Sequence, residues 1–373
     1  MSEGNIKNFF FNKVLFPRKF IINRPGLIIN RVSSWYGGTK SRHRAVYYFE
    51  DIIAGLQIDT LNEIGKEKTS KLWYKIGKDL GTQYVLLASP KKKIPKILLP
   101  SVLEYIFSRF KSGGCTGANQ IAYDINKETL FVTGYDNVIC RKSNLGDFFA
   151  GAASGLLSFI LGKNCGAILN CSNCPKECIM HISPKIKDDY APVISLFEKS
   201  GEYDSINFPE NDSFGGCSFQ DLIRFEKARI SENGKHFFKE KVIIPSPIHL
   251  FGLVSYNYQL MGYESILKKS IIKNSKILIK DISIKDGAVK DNLSFICQFL
   301  SAFGLGSLKY FIKDNGMTFD FIHAPINKYG FLYQALVLEG FLEYIYKKEF
   351  KIEKIQNMTN VPGYRIVYTL KNF

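Results

Sequence analysis

The side chains with the most specific chemistry in this 373-residue sequence are closely spaced cysteines. Cys171 and Cys174 are separated by two residues, and Cys178 follows four residues later. Two cysteines in a C-x2-C turn can place two thiolates on one metal ion, and a tetrahedral structural zinc site has four ligands. We expect Cys178 to be the third ligand. The fourth is expected from one of three further residues, of which the first is preferred: Cys140, Cys165 or His181.

Two other interpretations of this cysteine group remain open, namely an iron–sulfur cluster and free thiols without a special role. The spacing differs from the cysteine run of bacterial ferredoxins, so structural zinc is preferred. A zinc ion with four protein ligands has no open position, and it stabilises a fold instead of catalysing a reaction. The chain has eight cysteines, and its N-terminal residues do not form a secretory pattern, so a disulfide framework is not expected.

A search for standard catalytic groups gives no convincing site. The segment from Gly151 to Gly155 has its serine in the fourth position, which differs from a nucleophile elbow. Gly304 and Gly306 lack the third glycine of a dinucleotide-binding turn. The five histidines are scattered along the chain. We therefore predict that the protein is not an enzyme.

Two parts of the chain, 185 residues apart, have the same order of predicted elements. Residues 155–163 and 340–348 each end a predicted helix, and each leads into a predicted strand, at 166–170 and 350–355. Upstream, each half has a helix, then a glycine-containing turn and a pair of strands. The pattern predicts an α+β fold of two tandem repeats, each with a helical layer on an antiparallel sheet.

The repeat divides the chain and restricts the predicted metal site to one half. With the same offset, Gln356 and Thr359 stand where Cys171 and Cys174 stand in the first repeat, so the second repeat is predicted to have no metal. Four regions are predicted: a basic N-terminal segment (1–49), a first repeat with the cysteine group (50–184), a linker and lead-in with a short helix near Phe219 to Arg229 (185–243), and a second repeat without metal (244–373).

The charge of the chain indicates an anionic partner. Fifty Lys and Arg stand against 34 Asp and Glu, which gives a formal charge of +16. Residues 1–49 contain nine Lys or Arg and one Glu, so they carry +8, half of the excess. Basic side chains neutralise phosphates, and RNA or the ribosome is the preferred partner. The candidate nucleic-acid-binding residues are Arg18, Lys19, Arg24, Arg31, Lys40, Arg42, Arg44, Lys91, Lys92 and Lys93.

The hydrophobic pattern predicts no transmembrane span. The most apolar uncharged run, from Phe148 to Gly162, has 15 residues, fewer than the ~20 that cross a bilayer. Its small residues, including Gly151 and Gly155, predict a buried helix that packs closely on a neighbour. With no secretory pattern, a cytoplasmic location is expected.

The order of elements together with the cysteine group resembles the 4-vinyl-reductase domain family. This resemblance covers residues 50–182 well and residues 245–370 more faintly. Members of the family are the sensor modules of phenol-type and xylene-type transcription activators, stand-alone archaeal proteins and a bacteriochlorophyll-biosynthesis protein. The fold is related to that of a Golgi transport-complex subunit. The resemblance implies a domain that binds a small molecule in an apolar pocket beside a zinc site.

The resemblance also implies a ligand set for the zinc. In the family motif Glu-x2-Cys followed by a further Cys, Cys171 stands at the Glu position, Cys174 at the first Cys and Cys178 at the later one. Cys140 matches the upstream Cys ligand of the family. The gap to the last cysteine is shorter here than in the family pattern.

Three functions are consistent with these patterns. The preferred one is a non-enzymatic, zinc-stabilised regulatory protein that contacts nucleic acid, RNA or the ribosome, through its basic surface. The first alternative is a small-molecule sensor that regulates a partner protein, and the second is a tetrapyrrole-related enzyme or accessory protein. Since single-domain relatives commonly pair, the two repeats are expected to form a pseudo-dimer, and further oligomers can use the same surfaces.

Overall fold

A computed structural model describes most of the chain as mixed helix and antiparallel sheet. Within the part described, no helix is both long and apolar enough to cross a membrane. The residues that the structure describes are 20–32, 41–88, 94–112, 115–116, 118–173, 177–192, 216–231, 235–247, 250–282, 289–313, 316–324, 330–359 and 363–371.

The first half of the chain begins with strands and continues into helices and two hairpins. Its elements are β1 (Phe20–Arg24), β2 (Leu27–Val32), β3 (Ser41–Phe49), α1 (Glu50–Ala88), α2 (Leu99–Ser112), β4 (Ala118–Asp124), β5 (Thr129–Tyr135), α3 (Cys140–Ser143), α4 (Asp147–Leu161), β6 (Gly166–Asn173) and β7 (Glu177–Ser183). Helix α1 is interrupted at Gly65, whose φ of 77° and ψ of 168° are not helical.

The second half repeats this order after one short helix. Its elements are α5 (Phe219–Arg224), β8 (Ala228–Ile230), β9 (His236–Phe238), β10 (Lys241–Pro247), α6 (Leu250–Leu260), α7 (Glu264–Ile282), α8 (Val289–Ala302), β11 (Ser307–Lys313), β12 (Gly316–Ile322), α9 (Gly330–Tyr346), β13 (Phe350–Asn357) and β14 (Gly363–Leu370). Helix α5 begins with a capping box between Ser218 and Asp221, which satisfies its first backbone N–H groups.

The strand order of the sheets agrees with the predicted repeat. One four-stranded sheet has the order β4-β5-β7-β6, and its counterpart in the second half has the order β11-β12-β14-β13. All of their strand pairs are antiparallel. In each half, one helix connects the two hairpins, α4 in the first and α9 in the second. The mixed α+β class with antiparallel sheets is therefore observed.

A third, six-stranded sheet joins the two halves and was not predicted. Its order is β1-β2-β3-β10-β9-β8, so each half supplies three strands that mirror the other three. At its centre β3 pairs with β10, with Phe49 opposite Ile243 and Ala45 opposite Pro247. Residues 228–247, which the sequence analysis assigned largely to a linker, are the second-half counterpart of the N-terminal strands.

Helices α1 and α4 pack against each other through glycines. A Cβ atom added at Gly77 would overlap the Phe148 carbonyl, and one at Gly151 would overlap the Tyr74 carbonyl. Gly155 approaches the Lys78 carbonyl in the same way. The backbones can come this close only because these positions have no side chain. The prediction of a closely packed buried helix over residues 148–162 is therefore confirmed.

Candidate functional site

Three of the predicted metal ligands lie together at one end of the four-stranded sheet β4-β5-β7-β6, which we call the first small sheet. Cys178 on β7 has its Sγ atom 3.4 Å from the Sγ atoms of both Cys140 and Cys171. Cys178 and Cys140 are buried, and Cys171 on β6 is half-buried. Cys174 lies outside the described residues. We call Cys140, Cys171 and Cys178 the thiol cluster.

A rare backbone turn holds Cys140 in the thiol cluster. The Cys140 N–H donates to the Val138 carbonyl at 2.8 Å, which closes a γ-turn around Ile139. Ile139 has a φ of 71° and a ψ of −60°, an uncommon and strained conformation for a β-branched residue. The buried Glu50 carboxylate accepts a hydrogen bond from the Ile139 N–H at 2.8 Å and pairs with Arg141. Glu50 therefore fixes the turn to the start of α1.

The start of helix α4 leaves room for the sulfur atoms. A Cβ atom at Gly146, the residue before α4, would lie 2.9 Å from Cys171 Sγ and 3.3 Å from Cys178 Sγ. The N-terminal end of α4 is the positive end of its helix dipole. It favours the deprotonated thiolate form of a nearby cysteine, which is the form that binds a metal. Burial raises the pKa of the adjacent Asp147 carboxyl group, and a Ser70 hydroxyl hydrogen bond to it at 3.0 Å partly offsets this.

Cysteine is a residue type that binds structural zinc, but the three described cysteines of the thiol cluster do not by themselves form a metal-holding group. Sulfur atoms bound tetrahedrally to one zinc ion lie about 3.8 Å apart, close to the two separations of 3.4 Å. Within the described ranges, no group of three or more His, Cys, Asp or Glu side chains has a metal-holding arrangement. Because Cys174 is outside those ranges, the four-cysteine set stays a prediction.

Neither alternative fourth ligand is in the thiol cluster. Cys165 precedes the opposite end of β6, six residues from Cys171, which is about 20 Å along a strand. Its thiol lies 3.6 Å from the Lys163 carbonyl oxygen. His181 lies on the outer face of the sheet, where its ring stacks on Phe131 with centroids 4.7 Å apart. The assignment of Cys165 or His181 as an alternative ligand is therefore wrong in this fold.

Two of the predicted phosphate-contacting side chains, Arg24 and Arg44, lie in the described part of the chain. Arg44 is 3% exposed, and its guanidinium donates to the carbonyls of His323 at 2.6 Å, Gly304 at 3.0 Å and Gly26 at 3.3 Å. Burial lowers its pKa to about 9. Arg44 connects the two halves of the molecule, so its assignment as a nucleic-acid contact is wrong.

The other basic candidates give little further information. Arg24 ends β1 and is half-buried. Those whose side chains lie outside the described part of the chain are Arg18, Lys19, Arg31, Lys40, Arg42, Lys91, Lys92 and Lys93. The nucleic-acid prediction for them stays a prediction.

An apolar cavity of about 100 Å³ lies between the first-half helices and the six-stranded sheet. Its walls include Leu80 of α1, Phe107 of α2 and Phe148 of α4. From the second half, Ile244 of β10 and Leu250 of α6 line it. No sequence pattern groups these residues, because they come from separate elements and each resembles an ordinary core residue.

The cavity and the thiol cluster share one short segment. Asn137, Val138 and Ile139 line the cavity, and the next residue, Cys140, belongs to the thiol cluster. Cys115 also lines the cavity, and burial raises the pKa of its thiol to about 12, so this thiol is protonated at neutral pH. Ile139, at the centre of the γ-turn, therefore lines the apolar cavity, and the residue after it belongs to the thiol cluster.

A buried lysine secures the chain that leaves the first half. Lys78 Nζ donates to Asp188 Oδ2 at 2.6 Å, to Asn164 Oδ1 at 2.7 Å and to the Tyr190 carbonyl at 2.9 Å. The lysine side chain is fully buried, and its charge is paired with Asp188. These contacts hold residues 188–190 against α1, so we assign Lys78 a structural role.

Comparison with known proteins gives limited information. No family model and no curated protein matches this sequence. Among solved structures, the chain is similar to the phenol-responsive sensory domain of the transcription activator PoxR, crystallised with phenol. The two share 15% sequence identity, with 49% of this chain and 91% of that chain covered, and the TM-score is 0.32. A similarity at this level assigns neither a family nor a ligand to this chain.

Proposed function

We propose that this protein is a non-enzymatic regulatory protein that binds a small molecule in the apolar cavity and thereby controls a partner protein. The single observation that carries the proposal is that both halves of the molecule line the cavity, with Phe107 and Phe148 from one and Ile244 and Leu250 from the other. A molecule bound there contacts both halves at once. Its binding therefore favours the arrangement in which the halves are packed together.

The size and chemistry of the cavity support this proposal. The cavity volume of about 100 Å³ exceeds the roughly 10–15 Å³ that one water molecule needs, and a buried water also needs at least two polar partners. Apolar cavities of about this volume stay dry or bind small ring molecules. In the part of the chain that the structure describes, no Lys, Arg, His, Asp or Glu lines the cavity. The cavity therefore favours an uncharged, mostly apolar molecule over an ion, because an unpaired charge is costly to bury.

The thiol cluster serves this function as a structural support. In our proposal a zinc ion bound by Cys140, Cys171, Cys174 and Cys178 fixes the segment that contains Val138 and Ile139. The ion supplies folding energy and holds the cavity wall in one conformation. This interpretation is consistent with a cluster of buried thiols that directly follows cavity-lining residues.

Thermal unfolding of the full chain with three uncharged probes tests the proposal: benzene, cyclohexanone and methylenecyclohexane. We expect at least one probe to raise Tm in a dose-dependent manner, because a ligand that binds only the folded state stabilises it. Ala153→Phe fills the cavity and should abolish the shift, whereas the same change at the exposed Ala122 should preserve it. Equal shifts in wild type and in folded Ala153→Phe would contradict the proposal.

A second function, nucleic-acid binding, is suggested by the formal charge of +8 over residues 1–49, although one of these charges belongs to the buried Arg44. We expect affinity for an RNA duplex to fall steeply with salt if several phosphates are contacted. The measurement is fluorescence anisotropy of the chain with and without charge reversal at Arg18 and Lys19. An affinity unchanged by that reversal would remove this segment as the binding surface.

A further inference from the structure

We propose that the cavity selects an uncharged molecule with a hydrogen-bond acceptor, and that Asn137 is the residue that binds this acceptor. The inference rests on the proposed function, because it names the ligand class of the same cavity. It follows from one unpaired polar atom in a mostly apolar wall.

Asn137 is a buried polar residue of the cavity wall. Its side chain is 2% exposed, and its Nδ2 atom has no hydrogen-bond partner within the described part of the molecule. Among the residues that line the cavity, it is the one with such a buried, unpartnered side-chain atom in that part. Its backbone carbonyl accepts a 3.0 Å hydrogen bond from the Arg141 N–H, which fixes the residue at the start of the turn.

Two neighbouring polar side chains of the cavity are already paired. The Thr116 hydroxyl donates to the Tyr135 carbonyl at 3.0 Å. The Asn119 Nδ2 group donates to the Phe107 carbonyl at 3.2 Å. These bonds serve the protein itself, so Thr116 and Asn119 have less to offer a ligand than Asn137.

The chemistry of an unpaired amide nitrogen defines the ligand class. A buried donor without a partner loses its hydrogen bonds to water and gains nothing in return. A carbonyl, ether or aromatic nitrogen of a ligand can accept that hydrogen, whereas a hydrocarbon cannot. Because the rest of the wall is mostly apolar, the remainder of the ligand should be hydrocarbon. An acceptor on a small ring satisfies both conditions.

A pair of probes that differ in one group tests this inference. Cyclohexanone and methylenecyclohexane have the same ring, but only the first carries an acceptor oxygen. We expect wild-type protein to bind cyclohexanone about tenfold more tightly, the ratio that corresponds to one hydrogen bond of ordinary strength. Isothermal titration calorimetry or the dose dependence of Tm gives the two Kd values.

Substitution of Asn137 identifies the donor. Asn137→Leu keeps a similar volume without the N–H groups, so we expect it to bind both probes with equal affinity. It should not lower Tm, because it removes an unpaired buried polar group. The same change at the exposed Asn62 of α1 should leave the tenfold ratio intact. If Asn137→Leu fails to fold, the ratio in wild type still decides whether the cavity prefers an acceptor.

The outcomes separate this inference from the proposed function. Equal binding of both probes by wild type would overturn the inference and leave the cavity as a binding site. A tenfold ratio that survives in folded Asn137→Leu would show that another residue supplies the donor, which also overturns it. Binding of neither probe, nor of benzene, would contradict the proposed function itself.

Discussion

The two halves of this molecule have the same strand order, and the thiol cluster lies in the first half. With an offset of 185 residues, Cys171 and Cys178 correspond to Gln356 and Gly363 on the equivalent strands β13 and β14. The strand order around them is unchanged. The sheet architecture therefore does not need the thiols, and the thiol cluster is a feature of the first half.

Equivalent structural positions are filled in different ways in the two halves. Gly162, the residue after helix α4, has a φ of 64°, and at the same offset Lys347 takes a φ of 55° after α9. The buried Cys165 of the first half corresponds to the buried Phe350 of the second. The left-handed position after the helix and the buried position at the start of the next strand region are thus kept, while the residue type varies.

The helix contacts show the largest difference in packing. In the first half, α1 and α4 approach through four glycines, Gly77, Gly81, Gly151 and Gly155. In the second half, Gly340 of α9 meets α7 less tightly, and a Cβ added there would lie 2.7 Å from the Ile272 carbonyl oxygen. The first half therefore tolerates less change at its helix interface. Five experiments test or sharpen this comparison.

Removal of the metal ligands should produce the largest effect. We expect wild-type protein to contain one zinc ion per chain and the Cys171→Ser, Cys174→Ser double variant to contain none. Structural zinc contributes about 10 kcal/mol or more of apparent binding energy, so the first half should lose several kcal/mol. Inductively coupled plasma mass spectrometry and thermal unfolding measure both. Cys217→Ser, at a half-buried cysteine of the second half, should keep the zinc, and zinc retained by the double variant would sink the assignment.

The helix interfaces should respond unequally to one added methyl group. We expect Gly155→Ala to lower the free energy of unfolding by about 4 kcal/mol, because its Cβ overlaps a backbone carbonyl that cannot move aside. Gly340→Ala should cost less, about 2 kcal/mol, because its Cβ would lie 2.7 Å from the Ile272 carbonyl oxygen, whereas the Cβ at Gly155 would lie 2.0 Å from the Lys78 carbonyl oxygen. Urea titration gives both values, and equal losses would remove the distinction between the two interfaces.

Loss of Arg44 should weaken the connection between the halves. Arg44→Met leaves the carbonyls of Gly304 and His323 without their buried donor, so we expect a loss of about 3 kcal/mol. The control is Arg224→Met, where an exposed ion pair with Asp221 should cost less than about 0.5 kcal/mol. A similar small effect of both substitutions in urea titration would argue against the joining role of Arg44.

His236 should make the shared sheet sensitive to acid. Burial lowers the pKa of His236 to about 3, and its Nδ1 lies 2.8 Å from the Tyr47 hydroxyl. Below pH 6.5 the unfolded chain binds a proton on His236 that the folded chain does not bind. The free energy of unfolding therefore decreases as the pH is lowered, by about 1.4 kcal/mol per pH unit. The fall should level off near pH 3. His236→Gln should remove this part of the slope measured by urea titration between pH 6.5 and 4.5; an unchanged slope would assign it to other groups.

The smallest effect is expected on the outer face of the first small sheet. His181→Ala removes a stacked contact with the exposed Phe131, so we expect a loss below about 1 kcal/mol and no loss of zinc. The variant is measured beside the cysteine double variant with the same metal analysis. Zinc released by His181→Ala would return His181 to the ligand set.

Local patterns in the sequence predicted the elements well. The predicted strands at 166–170 and 350–355 lie within β6 and β13. Alternation of side chains and turn residues act over a few neighbours, so a local pattern carries this information. The short helix predicted near residues 219–229 is present over Phe219–Arg224, because its capping box is also local.

The direction of individual side chains could be derived only in part. Cys178, Met180 and Ile182 are buried along β7, so the residues between them, including His181, lie on the other face. This alternation was a signal that could have excluded His181 as a ligand. For Arg44, the buried apolar run that follows it, residues 45–49, was the signal for a strand covered on both faces.

The sequence by itself determined the repeat, the order of elements and the set of cysteines, because each depends on residue type and short spacing. Only the tertiary structure decided that β3 pairs with β10, about 200 residues away, since long-range pairing leaves no local pattern. That pairing buries Arg44 and forms the cavity wall from both halves. It also places Asn137, an unremarkable loop residue in the sequence, where its unpaired nitrogen belongs to an apolar cavity.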